Sequence, residues 1–365
     1  MPGLTLAQLT SLQNSTRAKQ KRVKFSETLK LNSYAGLDEF VYASGTGKID
    51  ATGTAYEFRV RMRSNVGATR GVRLYQVTAA QKAPPPVVSR VPYVFIENKG
   101  LVFDAREKGL NAASEEQIIN HLNAERSSNF EDIANYLESQ IWRTPDNSSD
   151  DLNFWGIPTW LRPSMSAGGS YIADPVGGFN GTYIRYADGS VSATLANIDA
   201  SNVDNERWRN WVATRPSTAF TVDLAQTIKR AANYSNFKPI KFLKGEMTTS
   251  DCVIFLNQND HENYTNLVTQ GSDELKSDLF PYEQVTLRGC RLIRAAQLDY
   301  DTTNSIYGCR LNQWRMLKMP GFWMKEHAPI MKDGAHNVME IPVDMAGNLL
   351  TENPRHCGFR IHGSF

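Results

Sequence analysis

The stretch that most restricts the fold is Ser114 to Trp142, SEEQIINHLNAERSSNFEDIANYLESQIW. Ile119, Leu122, Phe130, Ile133, Leu137 and Ile141 recur at helical intervals, with one turn skipped at Arg126. That spacing gives an α-helix one apolar face. Ser114 and Gln117 fit a capping box, and Glu115 and Glu116 suit the positive end of the helix dipole. At ~1.5 Å per residue the helix spans roughly 43 Å, long for one compact domain and suited to a spine. A kink or break is expected at Arg126-Ser127-Ser128, where the apolar stripe lapses.

A second periodic stretch precedes it. In TGTAYEFRVRMRSNVGATRGVRLYQV (52 to 77), Tyr56, Phe58, Val60 and Met62 alternate with Glu57, Arg59, Arg61 and Arg63. One face of a strand is therefore apolar and the other mostly basic. Ser64-Asn65 and Gly67 predict a turn, with Arg70 and Arg73 on the returning strand. The prolines of APPPVV (83 to 88) interrupt regular structure, because proline cannot donate to a ladder. Strand character resumes at 91 to 105. A two-stranded hairpin is marginal alone in water, so this ribbon must lie on something. Its aromatics sit opposite its arginines, unlike a nucleic-acid ribbon that interleaves the two on one face.

The totals bound the rest. The chain has 365 residues, 41% hydrophobic and 10% aromatic, and 40 basic against 38 acidic residues, a net charge of +2. Such a chain builds a real core, and a dedicated nucleic-acid binder carries a larger surplus. Four cysteines at wide spacings read as free or buried thiols, not as a disulfide framework. No apolar run resembles a signal peptide or a membrane span, so a soluble intracellular product is expected, with no membrane partner.

Chemistry-bearing motifs are lacking. YASGTGKID has Tyr42 where a phosphate loop needs its first glycine, and Ile49 where it needs Ser or Thr. AGGSY is not a nucleophile elbow. The six histidines are scattered, and Asp260-His261-Glu262 are neighbours that do not share a helix face. No catalytic residue, metal site or cofactor is expected.

Residues 1 to 35 read as a polar arm with Arg17, Lys19, Lys21, Arg22 and Lys24. Residues 143 to 215 read as loops and short strands with aromatics at Trp155, Trp160, Trp208 and Trp211, each either interface or ordinary core. Further on, 217 to 234 reads as a helix with Val222, Leu224, Ile228 and Ala232 inward. DCVIFLN (251 to 257) reads as a buried strand before a helix, with Tyr264, Leu267 and Val268 inward, and 284 to 299 is strand-rich. Strands and helices mix without a βαβ rhythm, which favours α+β.

The order of these features resembles the tailed-phage major capsid proteins of the Hong Kong 97-type fold. TGTAYEFRVRMRSNVGATRG looks like the extended loop of that family. The strand pair from Val91 leads, as there, into a spine helix. WGIPTWL, GGFNGTYI and ANIDASNVDNERWRNW are similar to a stretch in one subset of the family, matching at Pro158, Gly177, Gly178, Phe179, Gly181, Asp199, Trp208, Asn210 and Trp211. DCVIFLNQNDHENYTNLV, VTLRGCRLIRAAQLD and SIYGCRLNQW look like the axial domain, and RHCGFRIHG like the closing strand of the peripheral domain. Residues 50 to 365 are covered, and the specificity lies in order and spacing.

The resemblance implies an N-terminal arm (1–49), an extended loop (50–90), a peripheral domain (91–216 and 326–365) with a spine helix (114–142), and an axial domain (217–325). It implies a non-enzymatic subunit of the icosahedral virion shell around double-stranded DNA, assembled in the host cytoplasm from hexamers and pentamers. Portal and separate scaffolding or decoration proteins are the implied partners. With no lysine in the ribbon and Met1 within about fifty residues of it, neither a lysine crosslink nor a built-in scaffold is expected. Inter-subunit contacts fall to Arg59, Arg61, Arg63, Arg70, Arg73, Trp208 and Trp211, and non-specific DNA contact to Arg17, Lys19, Lys21, Arg22 and Lys24. An encapsulin-type nanocompartment shell and a nucleic-acid-binding ribbon are the alternatives.

Overall fold

The computed structural model describes residues 34–42, 47–51, 53–63, 70–74, 76, 82, 84–104, 115–172, 178–235, 252–271, 286–287, 290–331, 334 and 337–364. The five basic residues of the arm, Ser114, and Gly177 lie outside them. The contacts divide the chain into two units.

The first unit holds residues 95–137 and 321–345. Within it, β4 (Val94–Asp104), β15 (Lys325–Glu326) and β16 (Ile330–Met331) all pair with β17 (Val338–Thr351). Lys325 stands opposite Asp344, and Ile330 opposite Glu340. The helix α1 (Glu115–Ile141) has 27 residues, about 40 Å at 1.5 Å each. It runs unbroken through Arg126-Ser127-Ser128, which corrects the expected kink. Serine lowers helix propensity only slightly. Arg126 is also tied down, pairing with Glu326 and lying 5.9 Å from the Phe130 ring centre. Ile133, Leu137 and Ile141 are buried as the periodicity requires.

The second unit holds residues 32–94, 138–320 and 346–365. Its larger sheet has six strands in the order β11 (Thr286–Leu287), β12 (Cys290–Arg294), β10 (Cys252–Leu256), β13 (Ile306–Arg310), β18 (Gly358–His362) and β9 (Trp211–Thr214). The β10–β12 and β18–β9 pairs are parallel, and the other three are antiparallel. The predicted strand β10 is buried at every position, because both faces are covered. On one face lies α2 (Val222–Tyr234), capped by Thr221, with Leu224, Ile228, Ala231 and Ala232 in the core. Val222, expected inward, is 56% exposed, since the first residue of the helix points away from the sheet. The next helix, α3 (Gln258–Gly271), buries Tyr264, while Leu267 is only half-buried. All four cysteines are buried free thiols.

Residues 34–42, assigned to the arm, are core. A helical turn (Ala35–Leu37) runs into a π-helical turn (Asp38–Tyr42), burying Leu37, Phe40 and Val41. Phe40 meets Phe255 and Trp314, at 5.9 and 5.4 Å between ring centres. The buried Glu138 carboxylate accepts hydrogen bonds from the Gly36 and Leu37 amides at 3.0 and 2.8 Å. Glu39 pairs with both Nη atoms of Arg291 at 2.8 Å. Just beyond, β1 (Gly47–Asp50) adds in parallel to β14 (Trp314–Lys318), which pairs antiparallel with the end of β17. The sequence missed this docking because the stretch is short and has no period to read.

Candidate functional site

The ribbon exists, with a different return strand. Here β2 (Ala55–Val60) pairs antiparallel with β3 (Val87–Pro92), Phe58 opposite Ser89 and Val60 opposite Val87. The chain comes back only after the prolines, so Arg70 and Arg73 are not on the returning strand. Pro86 ends the interruption, and Pro92 closes β3. Along β2 the side chains alternate as predicted. Tyr56, Phe58 and Val60 are half-buried, Met62 is buried, and Glu57, Arg59, Arg61 and Arg63 are exposed. The Tyr56 and Phe58 rings stack at 5.7 Å.

The arginines have different surroundings. Arg63 pairs with Asp204, and Arg61 donates its Nε–H to the Arg63 carbonyl at 3.3 Å. Arg59 makes no ion pair among the described residues. Arg70 and Arg73 are exposed beside Val72 and Leu74, which are 57% and 83% exposed. The Arg73 amide donates to Gln76 Oε1 at 3.0 Å and its carbonyl accepts from Gln76 N–H at 3.1 Å, closing a turn. The loop thus exposes arginine, which is enriched at interfaces, beside uncovered apolar side chains.

Trp208 and Trp211 do not belong to that surface, which corrects their assignment as contact residues. They are 1% and 2% exposed, and Trp160 is fully buried. Trp208 donates its indole N–H to the Leu195 carbonyl at 3.2 Å, and Trp160 to that of Leu349 at 3.0 Å. A sequence rich in Gly, Asn and Asp made them look exposed. In fact the short hairpins β5 (Ile184–Arg185)–β6 (Val191–Ser192) and β7 (Thr194–Leu195)–β8 (Ile198–Asp199) belong to the same 178–214 stretch.

Of the residues that carried the family resemblance, Pro158, Gly178, Gly181, Trp208, Asn210 and Trp211 are buried, while Phe179 is half-buried and Asp199 exposed. Asn210 accepts from the Arg162 amide and donates to its carbonyl, both at 3.0 Å. Arg162, fully buried and with no carboxylate partner among the described residues, donates to the Thr182 carbonyl at 2.9 Å and to that of Trp208. Burial pulls its guanidinium down to about 9. Gly178 has φ +81°, a region that favours glycine, and a Cβ there would overlap the Trp211 indole. A Cβ on Gly181 would overlap the Asn210 amide. The motif is thus a packing device, and its spacing is set by sterics.

One basic feature had no signal in the sequence. Arg207 and Arg355 lie beside the second half of β2, with Arg59, Arg61 and His356 around the same cleft. Arg355 stacks 4.0 Å over the Phe179 ring. Only the fold brings these residues together. Among the described residues no group of three His, Cys, Asp or Glu is placed to hold a metal, and no helix is long and apolar enough to cross a membrane.

A long helix, a two-strand loop and a mixed sheet that takes in the last strand beside β9 define an architecture, that of the Hong Kong 97-type capsid shell subunits. The chain has this α+β fold. It is similar over 95% of its length to 98% of a chain from the cyanophage A-1(L) capsid asymmetric unit, with a TM-score of 0.60 and 14% identity. It is also similar to the capsid of a native GTA particle (TM-score 0.52, 11% identity, 94% of this chain and 95% of that one). The capsid of Myoviridae phage XM1 gives 0.51 at 9% identity, over 95% and 98%. No protein-family model and no curated protein matches the sequence.

Proposed function

We propose that the chain is a major capsid protein, a self-assembling subunit of the icosahedral shell that encloses the double-stranded DNA of a tailed phage. The observation that carries this reading is the end-to-end likeness to a cyanophage capsid chain, 95% of one against 98% of the other. The subunit works by packing, not by catalysis. Its neighbours are copies of itself in hexamers and pentamers, and the portal and any scaffolding or decoration protein meet the finished lattice.

The loop surface supports the same reading. Arg59, Arg70 and Arg73 are exposed, and Leu74 is left bare. Arginine is among the residues enriched at interfaces and among their hot spots. The basic residues Arg17 to Lys24 supply charge for packaged DNA. In this reading the arm is limited to 1–33, because 34–42 and 47–50 are held by the body, 50–90 is the docking loop, and 217–325 closes the capsomer rings. The larger sheet nonetheless takes β9 and β18 from outside 217–325.

Expression of the chain, with any assembly partner, followed by negative-stain microscopy tests the proposal. Closed shells are expected. A well-ordered monomer at every concentration would overturn it, and shells holding cargo enzymes instead of DNA would move it to the nanocompartment class.

A further inference from the structure

The cleft beside the second half of β2 has a volume of about 490 Å³. Arg59, Arg61, Arg207 and Arg355 line it, against one carboxylate, Glu352. None of the four arginines makes an ion pair among the described residues. Burial and the neighbouring Arg207 disfavour the charge on Arg355, while Glu206 favours it. Burial and the same arginines, with Arg310, hold the His356 imidazole below its usual range. His356 Nδ1 is buried with no hydrogen-bond partner. Four guanidiniums thus stand against Glu352 in the lining and Glu206 beside Arg355, which leaves positive charge in excess. Phe58 to Met62 form one wall, and the edge of β2 away from β3 pairs with no strand among the described residues. An open edge is a template for another strand.

We propose that this cleft receives an extended acidic segment from a second copy of the chain, residues 272–285 (SDELKSDLFPYEQV), whose carboxylates meet Arg59, Arg61, Arg207 and Arg355 while its backbone adds to β2. The proposal rests on the reading of the chain as a shell subunit. The segment has four carboxylates, Asp273, Glu274, Asp278 and Glu283, against one lysine. Residues 1–33 carry six basic residues and one acidic one, and the cleft would repel them. The fourteen residues between α3 and β11 span at most about 50 Å extended, so as a loop held at both ends they reach about half that. Leu275, Leu279 and Phe280 supply apolar contact for Phe58 and Val60. Nucleic acid fits less well: Glu352 stands among the arginines, and a duplex does not enter so small a cleft.

The test uses the full chain with two sets of charge reversals, Arg207→Glu with Arg355→Glu, and Asp273→Lys with Glu274→Lys and Asp278→Lys. Circular dichroism and melting establish folding. Each set alone is expected to reduce shell yield on sedimentation at least tenfold, and the two combined to restore it. A photo-crosslinker at Gln313, in mixed isotope-labelled copies, is expected to capture 272–285 of another copy. Wild-type yield from both single sets would overturn the inference and leave the shell reading standing. Crosslinks confined to one copy would do the same. If the wild-type chain never forms shells, the shell reading fails. A synthetic 272–285 peptide then decides: binding that weakens tenfold in the Arg207→Glu, Arg355→Glu variant upholds the cleft, and no binding overturns it. Loss of short-duplex DNA binding in that variant, with assembly unchanged, assigns the cleft to nucleic acid and also overturns it.

Discussion

Arg215 closes a two-pronged ion pair on Asp260, Nη1 to Oδ2 at 2.6 Å and Nη2 to Oδ1 at 2.7 Å, with each side chain 3% exposed. The pair joins the end of β9 to the first turn of α3. Arg215 Nη1 also donates to the Asn304 carbonyl at 2.8 Å, and Asn257 Oδ1 accepts from the Asp260 amide at 2.7 Å. Removing one partner leaves an uncompensated buried charge. Asp260→Asn or Arg215→Met is therefore expected to cost about 3–5 kcal/mol in urea unfolding, and the double variant clearly less than the sum. Additive losses would show that the two groups act independently.

Gly178→Ala is expected to destabilise by more than the roughly 1–3 kcal/mol that backbone strain alone costs, because the new methyl also meets the Trp211 indole. Trp211→Leu in the same chain should recover part of the loss, since it makes room without relieving φ. Thermal melts of the two variants and their combination measure this.

Acid should weaken the fold through its histidines. His362 is buried, accepts the Ser164 N–H on Nε2 at 3.0 Å, and lies 2.5 Å from the Gly363 carbonyl through Nδ1. Burial, then Arg360, pulls its pKa from 6.5 to about 3. Burial also lowers His356 and His261. A depressed folded pKa means the unfolded chain takes up the proton first as pH falls. The contribution is complete above about 6.5 and lost toward about 3, with a slope of at most about 1.4 kcal/mol per pH unit for each histidine. Urea melts at pH 7, 6 and 5 should show the decline, and His362→Asn should flatten it.

Reversing Arg59 and Arg61 together to glutamate is expected to leave the subunit folded, since both side chains are exposed. Shells should vanish from sedimentation profiles. Full-sized shells from this variant would remove the ribbon's arginines from assembly.

Legibility followed periodicity. The 27-residue helix, the alternation along β2 and the buried strand β10 were readable because burial repeats at 3.6 or 2 residues. The return of the ribbon at Val87 was hidden behind prolines that look like an end to strand structure. Trp208 and Trp211 were misread because glycine-rich sequence resembles surface whether or not it wraps a core. The cleft arginines were invisible for a third reason: Arg207 and Arg355 lie in different turns, and only tertiary folding makes them neighbours.

The fastening of residues 34–42 also sets an order of events. Gly36 and Leu37 wait for Glu138, 102 and 101 positions downstream, and Glu39 waits for Arg291, 252 positions downstream. A ribosome delivers these clasps late, and closing such distant contacts is slow. Residues 34–42 thus stay unlocked until most of the downstream body has emerged, and their clasps become firm only on a subunit that is nearly complete.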